Sequence, residues 1–192
     1  MEAFNYLTVM VSIVVGLGLT QLLAGIGNFV QIRRRVTFYW LHTGWVGLLI
    51  ILHLHMWWSF WVLRLVPDWT YGTFAYVLIG PSLLVIASHI AIPELLDGRI
   101  DVQRHYYDTR GVFFGLLAAT GTWAMLLEPV TGVRTFMVPL RTIQVAGTST
   151  LIALAISGNK RFHVIASVLV AVLIAVAIVF TRFRLGQLEL RM

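Results

Sequence analysis

Cysteine is absent from this 192-residue chain, which excludes disulfides, thiolate metal sites, iron–sulfur clusters and cysteine nucleophiles. Charge is also scarce. Asp, Glu, Lys and Arg make up 11% of the residues against 59% hydrophobic ones, far from the roughly one-quarter charged composition of soluble domains. The charges are unbalanced as well, with 14 basic residues, 8 acidic ones and a formal net charge of +6. A nucleic-acid binder gathers its basic residues on a polar face. No polar domain exists here to carry such a face, so nucleic acid is not an expected partner. Basic residues in short turns between apolar runs are what an anionic inner leaflet and the positive-inside bias select.

What the chain has in abundance is long apolar sequence. Six runs lie at approximately 4–31, 38–64, 71–96, 111–131, 138–158 and 162–182. Each is close to the roughly 20 residues a helix needs to cross a bilayer, and a span in lipid has to satisfy its backbone internally. The runs predict an all-α, polytopic integral membrane protein. It is expected to form one domain over residues 1–192, with six transmembrane helices and a short amphipathic interfacial segment between helices three and four. The opening MEAFNYL places Glu2 where a secretory signal would be basic, so the first run is expected to remain as a helix. Arg33, Arg34 and Arg35 mark the first turn as cytoplasmic. That puts the N-terminus outside and predicts a multi-pass protein of the inner (plasma) membrane.

Polar residues inside the runs are the candidates for function, because hydrocarbon penalises them unless they meet a partner, a cavity or a ligand. In the first run Thr8, Ser12, Gly16, Thr20, Ala24 and Asn28 recur at every fourth position. Such a line lets a second helix approach closely or, with Gln21, forms a polar stripe along a path. Gly111, Gly115 and Ala119 repeat the pattern in run four. Run two carries His42, His53 and His55 among tryptophans that resemble interfacial belts. At about 100° per residue, His42, Val46, Leu49, His53, Phe60 and Arg64 share one face and His55 points away. His89 of run three is expected at a depth close to that of His42.

Between runs three and four, Glu94, Asp97, Asp101, His105 and Asp108 fall on one helical stripe. Ion pairs with Arg104 are the simpler account of it; hard-oxygen ligation of a divalent cation is the sharper one. Glu128 and Arg141 flank the turn between runs four and five and predict an outer ion pair, with Gln144, Thr148 and Thr150 below. The last run has Ser167 as its interior polar residue and is expected to face lipid, with Ala171 and Ala175 touching a neighbour.

The leading functional reading is binding or passage of a small ion or solute by a bundle or homo-oligomer in the lipid bilayer. Thr20, Gln21, His53, His89, Glu128, Arg141 and Gln144 would line the ligand or ion pathway, with no resident cofactor. The first alternative is a haem b or quinone electron-transfer protein with His42 and His89 as axial ligands. The second is a structural or accessory subunit whose polar residues join helices. An enzyme fits least, since neither a Gly-x-Ser-x-Gly motif nor paired intramembrane aspartates occur.

Overall fold

The computed structural model describes residues 2–94, 99–133 and 138–180. Six helices account for nearly all of them: α1 (Glu2–Gln31), α2 (Trp40–Ser59), α3 (Tyr71–Ala91), α4 (Val102–Thr131), α5 (Val138–Ile156) and α6 (Lys160–Phe180). A 3₁₀ segment, Phe60–Leu65, tightens the end of α2 before Pro67. Five of the helices are long and apolar enough to cross a membrane, and Leu140–Ile156 in α5 is a shorter apolar helix.

Local chemistry sets the boundaries. Thr70 caps α3 by accepting from the Thr73 backbone N–H at 3.1 Å, and Asp101 caps α4 in the same way through Arg104 at 3.0 Å. Asn159 opens α6, accepting from Arg161 and Phe162. α3 stops at Ala91 because Pro93 has no N–H and holds the preceding Ile92 in extended geometry (φ −93°, ψ 115°). α4 stops at Gly132, whose φ of +71° is a left-handed cap that suits glycine.

The turns after α1, α3 and α5 meet at one end of the bundle. Strands β1 (Val36–Thr37) and β2 (Ile100–Asp101) pair in parallel there, so α2 and α4 leave that end in the same direction. The pairing satisfies backbone groups that an interface would otherwise leave open. Ile100 also donates to the Arg35 carbonyl at 2.9 Å. The α5–α6 turn joins through Arg110, whose Nε donates to the Ser157 carbonyl at 3.1 Å. This end carries Arg33, Arg34, Arg35, Arg99, Arg104, Arg110, Lys160 and Arg161.

α1 packs on α3 and α2, α3 on α4, α4 on α5, and α5 on α6, which returns to α2. One core cluster sits toward the basic end around Trp45, Leu49, Phe113 and Phe114. A second sits at the opposite end around Leu7, Val11, Leu63 and Trp123.

Several expectations are corrected here. The polar stretch before run four is not a separate interfacial segment: from Val102 it is the first part of a continuous 30-residue α4. Asp101 caps that helix and an Arg104–Asp108 pair at 3.5 Å stabilises its first turns, so nothing breaks it before Gly111. The small-residue lines face differently from what their spacing suggested. α1 buries Leu7, Val11, Val15, Gly18, Leu22 and Gly25, and leaves Ser12, Thr20 and Ala24 exposed. Around the small-residue line of α4 the buried side chains are Phe113, Phe114, Leu117 and Ala118, while Gly111 and Ala119 are exposed. Large apolar side chains won these interfaces because they supply more contact area than the glycines beside them. Close approaches instead occur at Gly18 against His53, Gly80 against Trp123 and Gly121 against Thr148, where an added Cβ would overlap its neighbour. α6 does expose Ile165, Val168, Leu169 and Val172, but its inward face is His163, Ala166, Ser167 and Val170, with Ala175 exposed.

Candidate functional site

Two polar regions stand apart inside the bundle. The first is a layer near the basic end. The last turn of α3 leaves carbonyls without backbone donors, and two imidazoles supply them. His42 Nε2 lies 2.7 Å from the Ala91 carbonyl and His105 Nε2 lies 3.0 Å from that of Ile90. A carbonyl only accepts, so both rings carry their proton on Nε2. The two rings meet edge to face with centroids 6.1 Å apart. Beside them the Tyr106 hydroxyl donates to His163 Nδ1 at 2.9 Å. That direction follows because His163 Nε2 is the donor to the Ser157 carbonyl at 2.8 Å. Tyr39 and Tyr107 share a bond of 3.1 Å, and Trp45 donates to Ser167 at 2.9 Å, tying α2 to α6. Phe114 packs against Trp45, Tyr106 and His163. The layer is filled, and its polar groups answer one another.

The second region is a half-open chamber of about 360 Å³ in the half of the bundle away from the basic loops. It lies between the C-terminal parts of α2, α4 and α6 and the start of α5. Its walls are mainly apolar, including Trp58, Trp123, Leu140 and Ile174, and among the described residues no Asp, Glu, Lys or Arg lines it. The polar lining consists of His55, Ser59, Thr120, Gln144 and Thr148. Ser59 donates to the His55 carbonyl at 2.7 Å and Thr120 to that of Leu116 at 2.9 Å, so both hydroxyl protons are engaged within their own helices. Gln144 Nε2 faces the Gly121 carbonyl at 3.5 Å. Gln144 Oε1 is buried without a hydrogen-bond partner. Reversing the amide would set two acceptors against each other at Gly121, so the orphan is the oxygen.

Of the predicted pathway residues, Gln144 lines this chamber. Thr20 is exposed and Gln21 half-buried on α1. His53 is fully buried against α1: its Nδ1 donates to the Leu49 carbonyl at 2.8 Å, and its Nε2 is buried without a partner next to Gly18. His89 is exposed on α3, and the ring that meets His42 is His105. Glu128 and Arg141 form the expected pair at 3.0 Å. Arg141 also donates to the Met125 carbonyl at 2.6 Å, the acceptor left open because Pro129, four residues on, has no N–H. The stripe between α3 and α4 is dispersed: Asp101 is a cap, Asp108 pairs with Arg104, His105 turns to α3, and Asp97 lies outside the described residues.

The sequence reading set His55 aside as pointing away, although it reaches the chamber, took His105 as part of the acidic stripe, and did not single out His163. His163 stands one turn before Ser167 on a helix read as lipid-facing, and that i,i+4 polar pair was the available signal.

The fold defines a multi-pass helical membrane protein, with a lipid bilayer as its surroundings. No protein-family model, curated protein or solved structure matches the chain.

Proposed function

We propose that this protein binds a small uncharged, mostly apolar molecule in the chamber between α2, α4, α5 and α6, as a binding protein or carrier. The observation that carries the reading is the chamber itself: apolar walls, sparse polar groups and, among the described residues, no charged lining residue, the general character of small-molecule sites. Bare ions need rings of carbonyls or charged side chains, which this lining does not offer. The filled Trp45–Phe114–Tyr106–His163 layer closes the far side, so the arrangement favours binding from one side over an open conduit.

In this reading all six helices cross the membrane. At 19 residues, α5 is about 28 Å long at 1.5 Å per residue, close to the hydrocarbon thickness. The basic end faces the cytoplasm and the N-terminus lies outside, in the inner membrane. Homo-oligomerisation remains part of the proposal, with the exposed Ser12–Thr20–Ala24 line of α1 as the contact between copies.

The test fills the chamber. Gly147 lines it, and a Cβ added there meets nothing within 4 Å. Gly147→Leu removes a helix glycine, worth up to about 1 kcal/mol in propensity, while occupying the space. Naphthalene titrated into the detergent-purified protein should change tryptophan emission saturably, since Trp45, Trp58, Trp61 and Trp123 line the chamber. In Gly147→Leu the saturable phase should vanish with the fold intact. Equal saturation in both proteins would reject the chamber as the site.

A further inference from the structure

From the register of β1 and β2 we infer that Arg34 and Arg99, brought to one patch by that pairing, bind the phosphate of an anionic phospholipid. The inference is independent of the chamber. Val36 pairs with Ile100, and the Ile100 N–H reaches the Arg35 carbonyl at 2.9 Å. Paired strands lie about 4.8 Å apart, so Arg99 comes beside the Arg33–Arg35 turn, and all four arginines are exposed. Most other basic residues at this end have partners. Arg104 pairs with Asp108 at 3.5 Å, Arg110 donates to the Ser157 and Tyr107 carbonyls, and Lys160 stands 5.9 Å over the Tyr107 ring. Arg33 donates to the Val30 carbonyl of its own helix at 3.2 Å. Among the described residues, no acceptor meets the Arg34 or the Arg99 guanidinium. Asp101, two residues after Arg99, is taken up in capping α4.

Guanidinium groups gathered in one place repel one another, and an anion between them relieves that. Their planar forks match the oxygens of a phosphate. What selects a lipid over a free anion is the surface beside them. Phe38 and Trp40 follow β1 directly and are 73% and 51% exposed, an apolar shelf at the depth where headgroups give way to acyl chains. Inorganic phosphate would use only the arginines; a phospholipid uses both. The opposite end of the bundle offers no such patch among the described residues. There Arg141 is paired with Glu128, and Arg64 stacks over Trp61 and donates to its carbonyl.

A competition between two lipids tests this. The full-length protein in detergent would be incubated with equal amounts of dioleoylphosphatidylglycerol and dioleoylphosphatidylcholine, which share their acyl chains and differ in headgroup charge. Native mass spectrometry then reads which lipid is bound. One basic residue at an anionic surface favours it about fivefold, so the two arginines should give the native protein a preference of about twentyfold for phosphatidylglycerol. Arg34→Gln/Arg99→Gln should lose that factor with its thermal unfolding midpoint unchanged. Lys160→Gln/Arg161→Gln removes the same charge from the start of α6 at the same end of the bundle, and its preference should stay within about twofold of the native value. A native ratio near one would overturn the inference. Equal falls in the two double variants would reduce the effect to net charge and remove Arg34 and Arg99 from the role. Release of the bound phosphatidylglycerol by a large molar excess of inorganic phosphate would make this a free-anion site and overturn the lipid assignment. The comparison on the native protein stands even if a variant does not fold.

Discussion

The two ends of this bundle treat polar groups in opposite ways. At the basic end, three helices (α2, α4 and α6) bring His42, His105, His163, Tyr106 and Trp45 into a layer whose donors have acceptors in place. At the other end, α2, α4 and α6, now joined by α5, separate around a chamber lined by Gln144, whose Oε1 is buried without a partner. A helix that ends inside a packed bundle must have its last carbonyls satisfied by protein, and α3 ends at Ala91 because of Pro93. The histidines of the layer therefore have a structural explanation that needs no ligand. The difference teaches that histidine inside a bilayer is a weak guide to function until its partners are known, and that a glutamine oxygen without a donor carries more information than three paired imidazoles.

The comparison can be broken most severely by emptying the layer. Phe114 is fully buried against Trp45, Phe113, Tyr106 and His163. Phe114→Ala should cost about 3–5 kcal/mol, read as a large fall in the midpoint of thermal unfolding in detergent. Crowding the α1–α2 contact comes next. Gly18→Leu drives a side chain into His53 and should cost about 1–3 kcal/mol. Asp108→Asn removes an exposed pair with Arg104 and should change stability by no more than about 0.5 kcal/mol. A larger loss would mean that the stripe does more than support the first turns of α4.

Much of the frame was legible in the sequence. Apolar runs gave the helices because length and hydropathy are properties of one segment at a time. Helical periodicity placed His42, Val46, Leu49 and His53 together, and all four are buried. Proximity to a shared turn was enough to pair Glu128 with Arg141. What escaped depends on relations between segments. Thr20 and Gly115 sit on well-spaced small-residue lines, but the spacing does not say whether a neighbour or lipid lies across from them. His89 was matched to His42 by depth alone; whether an imidazole turns inward depends on which carbonyls a neighbouring helix leaves open, and those of Ile90 and Ala91 were taken by His105 and His42. The chamber had no signature at all, since it arises from the fit of ordinary apolar side chains on four helices.

The most direct measurement sets one polar-to-apolar change at each end side by side, in thermal unfolding of the ligand-free protein in the same detergent. Tyr106→Phe leaves His163 Nδ1 without its donor and should lower stability by about 1 kcal/mol. Gln144→Leu removes an acceptor that has no donor and should leave stability unchanged or raise it by about 1 kcal/mol. Opposite signs, or a loss confined to Tyr106→Phe, are what a satisfied layer and an open chamber require. Equal losses in both variants would contradict the account, because Gln144 would then be as fully engaged as the layer it is set against.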